Sequence, residues 1–143
     1  MTVYVDADAC PVRAEAIRTA RRHGRAVYLV SNGGIRPDPD PEVHVVVVPQ
    51  DPDAADKWIA ERAAAGDVCV TSDLPLAAAV IAAGGTAIAP DGTVHDAGNI
   101  GPRLANRDLM ADLRAADPFR QGGGRPFTKA DRARFLSALD ALL

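Results

Sequence analysis

Apolar positions along the chain alternate between two rhythms. Short β-branched runs are followed by longer stretches in which apolar residues recur every three or four positions. The runs predict strands over residues 2–5, 26–30, 43–48, 67–71 and 86–89. The longer stretches predict helices: one from Pro11 to Gly24, one from Asp53 or Ala54 to a break near Gly66, and one from Pro75 to about Ala83. Two more close the chain, over about 100–115 and from Thr128 onward. The last should bury Phe135, Leu136, Leu139 and Leu142, and Thr128 with Asp131 three later reads as a capping box. Pro37, Pro39 and Pro41 leave residues 35–42 as loop, residues 90–96 read as a hairpin or turn, and Gln121 to Gly124 as a flexible joint.

Strands that alternate with helices and are apolar throughout imply right-handed crossovers and a sheet covered on both faces. The expectation is one domain over residues 1–143: a three-layer α/β/α core over about 1–100 and a basic helical extension over about 101–143. The sheet should be mostly parallel and five-stranded.

Composition narrows this further. Aromatics are only 4% of residues, so the core must be aliphatic. Cys10 and Cys69 have neither disulfide-framework nor zinc-ligand spacing. No signal-like segment and no apolar run of bilayer length is present, so a soluble cytoplasmic protein without membrane partners is expected. Residues 1–100 hold 8 Lys/Arg against 14 Asp/Glu, whereas residues 101–143 hold 8 against 5. An acidic first part suits a carboxylate-lined metal centre, and a basic last part suits a polyanion.

The candidate chemistry sits where strands end. The first strand runs into Asp6-Ala-Asp8, the second into Ser31-Asn32 and the fourth into Ser72-Asp73. In a parallel sheet these ends share one edge, where ligands bind in open α/β folds. Asp53 and Asp56, three apart at a helix start, can share a face that points at the same crevice. Crowded carboxylates repel unless a cation or a shared proton compensates them. Hard oxygen ligands suit Mg²⁺ or Mn²⁺, and the chemistry implied is metal-assisted phosphodiester hydrolysis. Blander roles stand beside each residue. Asp53 and Asp73 are in position to be plain helix N-caps, Asp8 to complement a helix dipole, and Ser31 and Asn32 to form a turn. Lys57 reads as a solvated charge and Cys10 as a packed thiol, and His23, His44 and His95 show no ligand spacing.

Asp6-Ala-Asp-Ala-Cys-Pro11, Asp53-Ala-Ala-Asp56, Thr71-Ser-Asp-Leu-Pro-Leu-Ala77 and Arg107-Asp-Leu-Met-Ala-Asp-Leu-Arg114 occur in that order along the chain. Together they resemble the YaiI/YqxD family (UPF0178, DUF188), which is grouped with PIN-like metal-dependent nucleases. The resemblance implies a strand order near 3-2-1-4-5 and a Mg²⁺ or Mn²⁺ centre. It places the acidic positions of PIN-like domains on Asp6, Asp56 and Asp73, and the small polar position on Ser31 or Asn32. Asp8 and the Cys-Pro after it belong to the family's own signature, and the helices beyond residue 100 have no PIN counterpart.

The leading expectation is a Mg²⁺- or Mn²⁺-dependent nuclease, RNA favoured over DNA. Asp6, Asp56 and Asp73 would hold the ion with Asp8 or Asp53 in support, and Arg103, Arg107, Arg114, Arg120 and Arg125 are candidates for phosphate contact. Two alternatives remain open. One is a haloacid-dehalogenase-like phosphatase with Asp6 as nucleophile, Asp8 as acid, Ser31 as its second motif and Lys57 as its lysine. The other is a non-catalytic nucleic-acid-binding module. A homodimer is compatible with the sequence, which does not fix the oligomeric state.

Overall fold

The computed structural model describes residues 1–8, 10–116 and 126–143. The first β-branched run forms β1 (Thr2–Asp6), and Pro11 lies in a turn just ahead of α1 (Arg13–Arg22). Gly24, at φ +67°, turns the chain back into β2 (Ala26–Ser31), a step that disfavours any side chain. The proline-rich loop then leads to β3 (Val43–Val47). Two further helix–strand steps give α2 (Ala54–Arg62), β4 (Val68–Val70), α3 (Leu74–Ala82) and β5 (Thr86–Ile88). The chain ends in β6 (Val94–His95), α4 (Ile100–Ala116) and α5 (Lys129–Leu142).

The six strands lie in the order β3-β2-β1-β4-β5-β6, parallel except for β6. The sequence reading is one strand short. Residues expected to make only a hairpin or turn contain β6, which pairs antiparallel with β5 over two residues. Two residues give no periodic signal, and only the neighbouring strand makes them a strand.

Side chains alternate across the sheet and split the core in two. Val3, Val5 and Ala7 of β1 point to one side, where Val12, Ala16 and Ala20 of the α1 segment and Phe135 and Leu139 of α5 pack on them. Tyr4 points to the other side, beneath Ile59 of α2 and Leu76 and Val80 of α3. The three layers are therefore α1 with α5, the sheet, and α2 with α3, while α4 lies along α3. The C-terminal segment is not a separate unit. Phe135 is fully buried, though Leu136 and Leu142 are only half-buried. The capping box is present: Thr128 Oγ1 accepts from the Asp131 N–H at 3.1 Å, and the Thr128 N–H donates to Asp131 Oδ2 at 2.9 Å. Gly92 lets α5 seat against the β5–β6 turn. Its φ is +93°, and a Cβ there would stand 2.7 Å from the Arg134 carbonyl carbon. The expected joint at 121–124 lies outside the described residues.

Candidate active site

Asp6 ends β1 on the α2/α3 side of the sheet. Because Val5 pairs with Val70, the next step of the register sets Asp6 beside Thr71. The Thr71 hydroxyl donates to Asp6 Oδ2 at 3.0 Å, and Thr71 Oγ1 in turn accepts from the Asp73 N–H at 3.0 Å. Thr71, buried at 2% exposure, thereby ties the first-strand carboxylate to the turn that carries Asp73. The sequence reading did not single it out. Its signal was available, as a hydroxyl residue at a strand end two positions before an aspartate.

Asp73 does what its capping role predicts: Oδ1 accepts from the Leu76 N–H at 2.9 Å and opens α3. It does more than cap, because its charge acts on the Asp56 carboxyl on α2. Burial first, then the charges of Asp73 and Asp6, push Asp56 up to about 6. Asp6 is also raised, chiefly by burial and further by Asp73 and Asp8, against the lowering effect of the Thr71 hydrogen bond. The fully buried Cys69 thiol, on the strand beneath, is pushed well up by burial and then by Asp6, Asp56 and Asp73 together. Three carboxylates from three elements therefore act on one another at the carboxyl edge of the sheet.

The flanking acids play lesser parts. Asp8 is exposed and accepts the Asn32 N–H at 3.2 and 3.3 Å, which ties the ends of β1 and β2 together. Asp53 stands at the N-cap of α2 without a side-chain cap bond, exposed, and its charge pushes the Asp56 pKa up further. Ser31 is fully buried and closes its own turn, accepting from the Gly33 N–H at 3.0 Å, whereas the Asn32 side chain is exposed. Lys57 is exposed on α2.

An open cleft of ≈ 380 Å³ is lined by Asp6, Ser72, Asp73, Leu74, Pro75 and Arg107. Arg107 comes from α4, and its guanidinium also donates to Asp108 Oδ1 at 3.1 Å. Arg114 is exposed two turns further along the same helix. Arg103 is engaged elsewhere. It donates to the Val94 carbonyl at 2.8 Å and to His95 Nδ1 at 2.9 Å, so the proton of this buried imidazole sits on Nε2. Arg120 and Arg125 lie outside the described residues. A second cleft, ≈ 450 Å³, opens on the α1 side between Cys10, Arg13 and Arg132. Burial pushes the Cys10 thiol up, the opposite of what a reactive thiolate needs.

As the side chains stand, no group of three or more His, Cys, Asp or Glu among the described residues is placed to hold a metal ion. Asp6, Asp56 and Asp73 fit a hard cation in donor chemistry and in mutual repulsion, and two of them hold protons more tightly than ordinary carboxylates. Among the described residues no helix is long and apolar enough to cross a membrane.

Comparison with known proteins places the chain. The profile of the family described as "Uncharacterized BCR, YaiI/YqxD family" matches residues 4–143. A UPF0178 protein of Cereibacter sphaeroides is 66% identical over 138 residues, covering 96% of this chain and 86% of its own. One from Roseobacter denitrificans is 58% identical over 141 residues, covering 99% and 93%, and one from Parvibaculum lavamentivorans is 51% identical over 138, covering 96% and 90%. No solved structure matches. The chain belongs to the YaiI/YqxD family.

Proposed function

We propose that the protein is a divalent-cation-dependent phosphodiesterase that hydrolyses nucleic acid, RNA in preference to DNA. The observation that supports this reading is the crowding of Asp6, Asp56 and Asp73, of which Asp6 and Asp73 line a cleft together with Arg107. Carboxylates that repel at one point favour a cation between them, and an arginine lining the same cleft favours a phosphate beside it. Asp6, Asp56 and Asp73 would hold Mg²⁺ or Mn²⁺, with Asp8 and Asp53 adding negative potential from the rim. Such an ion, when bound, neutralises phosphate charge and lowers the pKa of bound water. Thr71 keeps Asp6 oriented and fixes the Asp73 backbone, so the acidic edge is held by hydrogen bonds rather than by loose loops. Arg107 would orient the phosphate, and Arg114 would meet the next stretch of backbone.

The test is the purified chain with Mn²⁺ and end-labelled single-stranded RNA. Cleavage is expected, lost on chelation and lost again in Asp6→Asn and Asp73→Asn. Hydrolysis that survives both substitutions together would reject the reading.

A further inference from the structure

β3 is one edge of the sheet, with no strand beyond it among the described residues. The direction of its polar groups follows from two hydrogen bonds. The Val27 N–H donates to the Glu42 carbonyl at 2.9 Å, and the Val48 N–H donates to the Ser31 carbonyl at 2.8 Å. With the parallel register, these turn the backbone groups of even-numbered β3 residues toward β2 and those of Val43, Val45 and Val47 away from it. The Val43 N–H is already used, donating to the Asp40 carbonyl at 3.1 Å. That leaves the Val43 C=O and the N–H and C=O of Val45 and Val47, five strong groups on a five-residue edge, with no partner among the described residues.

Edges of this kind are commonly blunted by Lys, Pro or a bulge. Residues 43–48 read Val-His-Val-Val-Val-Val and contain none of these. Val47 is 66% exposed. The opposite edge differs, since β6 is only two residues long.

We infer that β3 pairs antiparallel with β3 of a second copy of this chain, about a two-fold axis through Val46, joining two six-stranded sheets into one. The complementarity of the free donors and acceptors selects both the occupant and the register. Centred on Val46, Val45 faces Val47 of the other copy, and the reverse pair repeats it. The four groups of Val45 and Val47 on each strand are then satisfied by four hydrogen bonds, and only the Val43 C=O is left outside the ladder. The ladder also ends where it must, because Val43, whose N–H is taken, stands opposite Pro49, which has none. Centring on Val45 would call on the occupied Val43 N–H, and centring on Val47 would set Val45 against Pro49. No charged residue lies within the paired stretch. Val47 packs beside Val45 of its mate on the α1 side, and the two Val46 side chains meet on the α2 side.

Pairing β3 uses up the long edge, so assembly closes at two. Antiparallel pairing also points the two acidic edges in opposite directions, so each candidate active site remains complete within one copy. The dimer is therefore independent of the proposed hydrolysis.

The experiment is sedimentation or light scattering of the full chain across concentration. Twice the 14.9 kDa chain mass is expected. Val47→Pro removes one donor per copy on the outward side and leaves the β2 ladder intact, and Val47→Lys adds like charge to the edge. Each should raise the dimer dissociation constant about thirtyfold with unchanged circular dichroism. The register is read separately with oxidised glutathione. Val46→Cys should form a disulfide-linked dimer, because directly opposed pairs of this kind sit within disulfide reach, while His44→Cys and the parent chain should not. A monomer at every concentration overturns the inference. So does a dimer that withstands Val47→Pro, which would move the interface to the exposed Leu109, Met110 and Leu113 of α4.

Discussion

The two faces of the sheet use the same strands for different ends. On the α1/α5 side, β1 presents Val3, Val5 and Ala7 to an aliphatic layer closed by Phe135 and Leu139. Ion pairs Arg132–Glu15 and Arg22–Asp140 fasten the two helices over it. On the α2/α3 side the alternate positions read Tyr4 and then Asp6, and the layer ends in Asp6 and Asp56, whose pKa values are raised by burial and by neighbouring carboxylates. One face lowers the free energy of the fold, while the other carries a cost that only a proton or a cation relieves. Such a split is expected where function is drawn from a scaffold stabilised elsewhere.

Substitutions can test this division, and the largest effect should come from the apolar face. Phe135→Ala should cost about 4 kcal/mol by denaturant unfolding, through lost burial and the cavity left behind. At a temperature where the variant stays folded, Mn²⁺-dependent cleavage should persist. Abolished cleavage in a folded sample would merge the two faces again.

Next come the acids. Asp73→Asn keeps a good N-cap while removing the charge, so it should leave thermal stability within about 0.5 kcal/mol and cut the cleavage rate at least about a hundredfold. Asp73→Ala should lose a further ~1 kcal/mol of stability for the missing cap. Equal rates for Asp73→Asn and the parent chain would reduce Asp73 to a cap alone.

Asp56 should reveal the cost of the second face without any ligand. Its carboxyl rises from 3.8 to about 6 on folding, so the folded chain binds protons more tightly than the unfolded one between those values. Stability of the cation-free protein should fall as pH rises through that window and level off above it. Asp56→Asn should then be more stable than the parent at pH 7 by on the order of 1 kcal/mol, after discount for solvent screening, with the gain vanishing near pH 3.5. Adding Mg²⁺ or Mn²⁺ at pH 7 should stabilise the parent in a melting curve and leave Asp56→Asn nearly unmoved. Arg107→Gln should have the smallest effect. KM for RNA should rise a few-fold, the change shrinking as salt increases, with kcat and folding stability little altered.

Much of this was legible in the chain. Continuous β-branched runs separated by helical periodicity and punctuated by Gly and Pro give the parallel order, and the Thr128–Asp131 box is readable residue by residue. Asp6, Asp56 and Asp73 could be named because their positions at strand and helix ends follow from the topology. Thr71 was passed over because a hydroxyl has no charge pattern, and its importance comes from bonding two partners, one of them 65 residues away. Arg103 and Arg107 look alike in sequence, one turn apart on one helix. Only packing sends the first to the Val94 carbonyl and His95 and the second to the cleft.

Amino-acid order alone therefore determined which segments are strands, which are helices, and which carboxylates stand at their ends, because those properties depend on near neighbours. Tertiary structure decided how the acids affect one another, which arginine faces them, that a two-residue sixth strand exists, and that the β3 edge is bare. Each of these depends on segments far apart in sequence meeting in space, where burial and charge act over a few ångströms rather than along the chain.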